Sequence, residues 1–218
     1  NSGITFYKIH AIGNTAYAVG TNGTVCKYVN GAWTAINPGV GNTFYAVHFT
    51  SETVGYIAGS GGIICRTTNG GVSWTPLTSG TTKDLKCIKT ACPSEAIVAG
   101  DSGVVLTTTN RGASWTNRNL NQDININSVI WSEGSGYLVG ENGNAFSFTF
   151  GGQADQLSIS PNSPVSFCPG TSVDLTASGS YNYLWSTGDT SRTITVTTPG
   201  TYRVRNGNGI CADSAEVS

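Results

Sequence analysis

The sequence predicts an all-β protein: a small four-repeat β-propeller with an incomplete last blade, followed by a C-terminal β-sandwich. Glycine supplies 29 of the 218 residues and charged residues only 11 %, which is typical of many short strands joined by turns. A glycine pattern recurs four times with a period near 40, about the length of one four-stranded propeller blade. After this repeat ends, alternating apolar and polar residues indicate a different β domain.

Each repeat contains a glycine pair, two glycines three residues apart, directly after an apolar run. The first glycines of the pairs lie 39, 41 and 40 residues apart, at Gly20, Gly59, Gly100 and Gly140. The apolar positions Ile9, Val47, Ile88 and Val129 follow nearly the same period, with spacings of 38, 41 and 41. We therefore assign residues 1–151 to a propeller with blades at about 4–37, 43–80, 84–120 and 124–150.

Four strands are expected in a complete repeat. In the second repeat they are predicted at 43–49, 54–59, 62–67 and 73–77. The glycine pair allows the positive φ that a tight hairpin needs between the second and third strands, and Asn69-Gly70-Gly71 does so between the third and fourth. Turn chemistry and repeat length thus agree on a four-stranded blade.

The fourth repeat differs from the others because no regular fourth strand is predicted for it. Strands are expected at 126–131, 136–140 and 143–150, but Gln156 stands where the tryptophan spacing of 41 would place a tryptophan. Three alternatives remain open: a poor strand at 152–157, further blades upstream in a longer precursor, or a strand lent by another chain. An open sheet edge invites such pairing.

Two eight-residue segments, 67–74 and 108–115, share the pattern Thr-x-Asn-x-Gly-x-Ser-Trp. The pattern resembles the Asp-box of sialidase-type (BNR) repeat propellers, and the whole repeat is most similar to photosystem II stability factor-like propellers. The resemblance implies a scaffolding hairpin in which side chains tie the turn and tryptophan packs between blades. The box residues are Thr67, Asn69, Gly71, Ser73, Trp74, Thr108, Asn110, Gly112, Ser114 and Trp115.

The C-terminal segment 165–218 is predicted as a second β domain after a polar linker at 152–164. Its expected strands are 172–177, 183–185, 193–196 and 201–204, with a last strand beginning at Ala215. Cys168-Pro169-Gly170, Tyr183-Leu184-Trp185 and Asn208-Gly209-Ile210-Cys211 are similar to the immunoglobulin-like or PKD-like modules of secreted Bacteroidetes proteins. The resemblance implies a Cys168–Cys211 disulfide, Trp185 in the sandwich core, and export by the type IX secretion pathway.

The residues favour a protein without enzymatic activity and without a cofactor. A sialidase needs three arginines on the substrate carboxylate. Residues 1–150 contain three arginines, Arg66, Arg111 and Arg118, but two of them lie in or beside the box hairpins and are not free for a substrate site. Other glycosidases need two carboxylates facing each other across a cleft. The available acids mostly fall in predicted turns: Glu52, Glu95, Asp101, Asp123, Glu133 and Asp155.

The aligned residues His10, His48 and Lys89 are predicted on inner strands, which line the channel of a propeller. They are weak candidates for binding a ligand, and polar lining of a wet channel is the alternative. No third metal-type ligand lies near them in sequence, so no metal site is predicted. Exposed aromatic residues such as Tyr7, Tyr45 and Trp131 leave a carbohydrate-binding or glycoside-hydrolysing propeller as an alternative function.

The four cysteines of the repeats divide into two kinds. Cys26 and Cys65 each stand three residues after a turn glycine, a register that predicts buried free thiols, with a bridge between blades as the alternative. Cys87 and Cys92 lie five residues apart across a predicted turn, which favours a local hairpin disulfide. That spacing does not fit a zinc Cys-x-x-Cys site.

Charge and hydropathy narrow the classes of partner. The net charge is −1 (11 basic against 12 acidic residues) without basic runs, so no nucleic-acid partner is predicted. No apolar run approaches the roughly 20 residues of a membrane span, and we expect any export signal to have been removed. Six cysteines and no methionine favour a secreted or cell-surface location.

The leading prediction is a structural or adhesive extracellular protein. Its expected partners are further copies of itself, through strand complementation, or another surface protein, and a glycan is an alternative ligand. The third alternative is an assembly factor that grips another protein on the propeller face, as the photosystem-related resemblance implies.

Overall fold

The computed structural model describes residues 3–90, 94–132, 135–149, 157–161, 171–178, 183–206 and 213–217. The chain forms two compact units, Asn1–Gly152 and Gln153–Ser218. The described residues are all-β, with short 3-10 turns at Ser60–Gly62, Asp101–Gly103 and Glu141–Gly143. No helix in this part of the chain has the length and hydrophobicity to cross a bilayer.

The first unit consists of four antiparallel sheets in which consecutive strands are neighbours, as in propeller blades. Blade one contains β1 Phe6–Ile12, β2 Thr15–Gly20, β3 Val25–Val29 and β4 Ala32–Ile36. Blade two contains β5 Phe44–Phe49, β6 Gly55–Gly59, β7 Ile64–Thr67 and β8 Thr75–Leu77. Blade three contains β9 Leu85–Thr90, β10 Ala96–Gly100, β11 Val105–Thr108 and β12 Thr116–Asn117.

Blade four has three strands among the described residues, β13 Ile126–Ser132, β14 Ser135–Gly140 and β15 Ala145–Thr149. This agrees with the three strands expected from the sequence. Gln156 lies outside the described residues, so the three alternatives for a fourth strand remain predictions.

The repeated first glycine is required because the backbone before each inner strand passes directly over it. A Cβ on Gly59 would come far closer than 3.0 Å to the carbonyl oxygen of Thr43. The same carbonyl accepts a hydrogen bond from the backbone N–H of Ser60, at 2.8 Å. Gly100 and Asp84 repeat this arrangement in blade three. A side chain at these glycines would separate the first and second strands.

The two faces of each blade sheet have different roles. We call the face that carries Ile9, Val47, Ile88 or Val129 the leading face, and the opposite face the trailing face; residues paired across antiparallel strands share a face. The trailing face of blade one, with Tyr17, packs on the leading face of blade two. The trailing face of blade three packs in the same way on blade four.

The Asn-containing boxes are closed turns held by their own side chains. In blade two, Asn69 Oδ1 accepts hydrogen bonds from the Ser73 N–H and the Thr67 hydroxyl, both at 2.9 Å. Thr67 Oγ1 in turn accepts the Gly71 N–H at 2.9 Å. The box of blade three has the same bonds at nearly the same lengths. Each box thus fixes the hairpin between the third and fourth strands of its blade.

The inner strands follow the order β1, β5, β9, β13, each packed on the next. Within the described ranges, no comparable contact returns from β13 to β1. The four described blades therefore form an arc with two end faces, the leading face of blade one and the trailing face of blade four.

The second unit consists of two three-stranded antiparallel sheets around one core. One sheet contains β16 Ile159–Ser160, β17 Val173–Ala177 and β19 Thr193–Val196; the other contains β18 Tyr183–Trp185, β20 Tyr202–Asn206 and β21 Asp213–Val217. Trp185 is buried in this core, and its indole N–H donates a hydrogen bond to the Ser191 carbonyl at 2.9 Å. Arg203 and Glu216 form an ion pair on paired strands.

Three cysteines of the first unit are free thiols. Cys65 is fully buried, whereas Cys26 is only half-buried. Cys87 faces the core between blades three and four, where its thiol contacts the Ala99 carbonyl at 3.5 Å. A free Cys87 corrects the expected Cys87–Cys92 bridge, because strand alternation directs Cys87 into the core. Cys92, Cys168 and Cys211 lie outside the described residues, so the Cys168–Cys211 disulfide remains a prediction.

Candidate functional site

A β-bulge recurs at the same place in every inner strand and presents one extra residue. In blade one, Phe6 pairs with Gly20 and Lys8 pairs with Val19, so that the residue between them has no partner. The other three inner strands have the same register shift. We call the four bulged residues the inner row: Tyr7, Tyr45, Lys86 and Asn127. Bulges re-aim side chains and are frequent beside functional sites.

Neighbouring members of the inner row contact each other across the blades. The rings of Tyr7 and Tyr45 meet edge to face with their centroids 5.1 Å apart. The Lys86 ammonium lies 3.8 Å from the centroid of the Tyr45 ring, close enough for a cation–π interaction. Two aromatic rings and a cation thus form a continuous surface along three blades.

Two carboxylates orient Lys86. Its Nζ lies 3.0 Å from Asp84 and 3.5 Å from Asp101, and Asp84 also accepts the Gly61 N–H at 3.0 Å. Partial burial by itself would lower the pKa of Lys86, but the bond to Asp84 and the charge of Asp101 raise it overall. Lys86 is therefore a fixed positive charge at neutral pH.

The three channel residues predicted from the sequence do come together. The rings of His10 and His48 have centroids 4.4 Å apart, and His48 Nδ1 forms a 2.6 Å hydrogen bond with the Thr90 hydroxyl. Burial lowers the pKa of His48 to about 3, with the positive charge of Lys89 as the next cause. Burial and Lys89 also lower the pKa of His10. Both imidazoles are consequently uncharged at neutral pH.

Lys89 places a positive charge on the inner strands close to His10 and His48. Burial lowers the pKa of Lys89, and repulsion from Lys8 lowers it further. Lys8, Lys86 and Lys89 together outnumber Asp84 and Asp101. The inner-strand surface therefore combines aromatic area with a small excess of positive charge, which is suited to carboxylates.

Trp131, the fourth ligand-binding candidate, lies elsewhere. It is half-buried on the leading face of blade four, where its ring packs edge to face on Phe148 at 6.0 Å. Its role in the structure is packing within the blade. Sequence reasoning named Tyr7 and Tyr45 only as exposed aromatics and missed Lys86 and Asn127. The signal for all four was their common repeat column, two residues before Ile9, Val47, Ile88 and Val129.

The described residues contain no group of three or more His, Cys, Asp or Glu side chains placed to hold a metal ion. Among the candidate acids, Asp101 pairs with Lys86. Glu133 and Asp155 lie outside the described residues. What the inner-strand surface offers chemically is binding: aromatic contact, cation–π interaction and charge pairing.

Comparison with known proteins agrees with this fold. A family model described as photosynthesis system II assembly factor YCF48 matches residues 25–130, a little under half of the chain. YCF48 from Cyanidioschyzon merolae is similar to 66 % of this chain with a TM-score of 0.57 and 14 % identity. The match covers 51 % of that protein, so this chain spans about half of its length. The first unit is a BNR-type propeller.

Other solved structures share this propeller. A YCF48 structure bound to D1 peptide matches over 93 % of this chain and 76 % of its own, with a TM-score of 0.57 and 16 % identity. A GH74 enzyme from Niastella koreensis matches over 72 % of this chain and 32 % of its own, with a TM-score of 0.55 and 13 % identity. At such identities the likeness shows the fold alone.

No match was found among curated protein sequences. The family model describes an assembly factor, in line with the predicted lack of enzymatic activity.

Proposed function

We propose that this chain is a non-catalytic, protein-binding propeller that assists the assembly of a partner protein. It holds an extended segment of that partner along the inner row. The observation that carries this proposal is the contact between Lys86 and the Tyr45 ring, which places a fixed cation beside an aromatic surface on adjacent blades. The match to an assembly-factor family supports it, as does the existence of a YCF48 structure bound to D1 peptide.

The chemistry of the inner-strand surface selects the class of segment. Lys8, Lys86 and Lys89 favour a segment that carries carboxylates, and the rings of Tyr7 and Tyr45 favour apolar or aromatic side chains between them. Because Lys86 is already oriented by Asp84 and Asp101, little of its side-chain freedom remains to be lost on binding. We therefore expect an acidic segment with interspersed apolar residues to bind.

Fluorescence anisotropy with two labelled peptides tests this proposal. One peptide alternates Glu with Leu and Phe, and the second has Lys at every Glu position. The acidic peptide should bind, with an affinity that falls as salt is added, and the basic peptide should not. Equal binding of both peptides would show that charge complementarity is not what the surface recognises.

Variants locate the binding surface. Tyr45→Ala and Lys86→Ala should each weaken binding about tenfold, which corresponds to about 1.4 kcal/mol. Lys83→Ala is the matched control, since Lys83 is an exposed lysine in the connector before β9 and lies outside the inner row. If Lys83→Ala weakens binding as much as Lys86→Ala, the effect is one of net charge and the inner row is not the site.

The natural partner can be sought with the same variants. Affinity capture from the native source with the wild-type chain should retain a protein that a Tyr45→Ala/Lys86→Ala double variant does not. A partner retained equally by both proteins binds elsewhere on the chain.

The adhesive role expected from the sequence is supported less well than this one, since the family match describes an assembly factor. A secreted or cell-surface location remains part of our proposal, and surface labelling of intact cells against lysed cells tests it. We also retain the immunoglobulin-like interpretation of the second unit, which its two three-stranded sheets around Trp185 support. A glycan array tests the carbohydrate alternative.

A further inference from the structure

The leading face of blade one is an apolar surface with no blade packed on it among the described residues of the first unit. Ile9 is 59 % exposed, whereas the aligned Val47, Ile88 and Val129 are 3 %, 7 % and 7 % exposed between blades. Phe6 and Trp33 are also about half exposed. Within the part of the chain that the structure describes, blade one has no neighbouring blade on this side, unlike the other three blades.

The trailing face of blade four is exposed in the complementary way. Val139 and Tyr137 are 49 % and 46 % exposed, whereas the aligned Val19 and Tyr17 of blade one are fully buried against blade two. Ile130, paired with Tyr137, is also exposed. The two ends of the arc thus present the two halves of the contact that joins every pair of neighbouring blades.

The turn glycine of blade four also differs from its counterparts in blades one and three. In blades one and three, the second glycine of the pair forms a hydrogen bond with the connector that leads to the next blade. Gly23 donates its N–H to the Asn42 carbonyl oxygen at 2.9 Å, and Gly103 donates its N–H to the Ile124 carbonyl oxygen at 2.7 Å. Gly143 has a similar positive φ of 73°, but a Cβ built on it would meet none of the described atoms within 4 Å. Ile4 stands at the aligned connector position of blade one and is exposed.

The exposed face of blade one contains a groove, and the exposed face of blade four carries apolar side chains. A groove of about 520 Å³ on blade one is lined by Phe6, Tyr7, Lys8, Ile9, Ala18, Cys26 and Trp33. Blade four has three large exposed apolar side chains that could fill such a groove: Ile130, Tyr137 and Val139. The residues of blade four paired on this face, including Ser128 and Ala145, are uncharged. Contiguous exposed apolar area of this kind marks an interaction surface.

We propose that a second copy of this chain covers both faces. The leading face of blade one of each copy packs on the trailing face of blade four of the other. Each contact joins two different faces, since each face resembles the partner of the opposite face rather than of itself. A two-fold dimer contains this contact twice and so satisfies all four faces at once. Two arcs, each of the four blades that the structure describes, make a ring of eight, within the roughly four to eight blades of known propellers, whereas three arcs exceed it.

Light scattering on size-exclusion eluates of the full chain tests the assembly. The wild-type chain should elute with twice the mass of one chain. Ile9→Glu and Val139→Lys should each elute as monomers, because each buries a charge in the contact. Val72→Glu is the matched control and should remain a dimer, since Val72 is an exposed valine on the box loop, away from both faces.

Mixing the two monomeric variants tests the head-to-tail geometry. In a mixed dimer, Glu at position 9 of one copy meets Lys at position 139 of the other, and the second contact is wild type. Mixing should therefore restore the dimer, whereas contacts between two identical faces would predict no restoration. A wild-type monomer at the highest soluble concentration, or a dimer that survives both substitutions, would overturn the proposal.

The reactivity of the Cys26 thiol provides a second test of the same contact that does not depend on molecular mass. It lies on the exposed face of blade one, while Cys65 and Cys87 are buried within the unit and serve as internal controls. In the wild-type chain, Cys26 should react with a maleimide about tenfold more slowly than in Val139→Lys, with both controls slow in each protein. Equal reactivity of Cys26 in the two proteins would contradict a covered face.

Discussion

The half-buried His48, which contacts His10 and Thr90, makes stability depend on pH in a defined window. Because the pKa of His48 falls from 6.5 to about 3 on folding, the unfolded chain binds a proton more readily than the folded chain between these values. Stability from this residue is therefore complete above pH 6.5 and is lost as the pH falls toward 3. His48→Gln should remove this dependence.

The expected size follows from the shift. Between pH 6.5 and pH 5 lie 1.5 units, each worth about 1.36 kcal/mol, so His48 should cost the folded state about 2 kcal/mol at pH 5. The wild-type chain should lose that much more than His48→Gln between pH 7 and pH 5. Titrating carboxylates contribute equally to both proteins and cancel in the comparison.

Hydrogen–deuterium exchange in a urea series provides the measurement. Peptides from β5 and β9 report the first unit alone, which matters because the two units need not unfold together. The difference between the two proteins at each pH gives the contribution of His48. If both proteins lose the same stability within a few tenths of a kcal/mol, the imidazole is not held neutral by burial, and the reasoning fails.

Two further predictions use the same exchange measurement. Asn69→Ala removes the acceptor that ties the box and should cost about 1–2 kcal/mol, whereas Asn69→Asp keeps the acceptor and should change stability by less than about 0.5 kcal/mol; equal losses would mean that the side-chain bonds are unimportant. Gly59→Ala forces a methyl group against Thr43 O and should cost about 3 kcal/mol or more, while Gly41→Ala, which meets nothing within 4 Å, should be nearly neutral.

The sequence was sufficient for the repeat and the strand order, because the spacing of the glycines and the turn residues between strands can be read along the chain. The scaffold role of the boxes was implied by the family resemblance. Strand ends were less accurate. The third strand of blade two was expected at 62–67 but begins at Ile64, because Gly62 adopts a φ of 76° at the end of a 3-10 turn. Spacing alone does not distinguish such a turn from the first residues of a strand.

Features that depend on packing between repeats were harder to predict from the sequence. Trp33 falls on the tryptophan spacing, but it lies on β4 beside Tyr28 and is exposed, because none of the described blades packs on its face. Cys87 was expected to pair locally, yet alternation along β9 turns it into the core. Both outcomes depend on which side of a sheet meets a neighbour, and one repeat considered alone does not contain that information.

The repeated bulge assigns packing between blades and contact with a ligand to different residues of each inner strand. Alternating positions of each inner strand are committed to contact with the adjacent blades, whereas the bulged residue belongs to neither set. Tyr, Tyr, Lys and Asn therefore occupy equivalent places without altering the stacking of the blades. A propeller built in this way can acquire a new ligand by changing one residue per blade while its architecture stays constant.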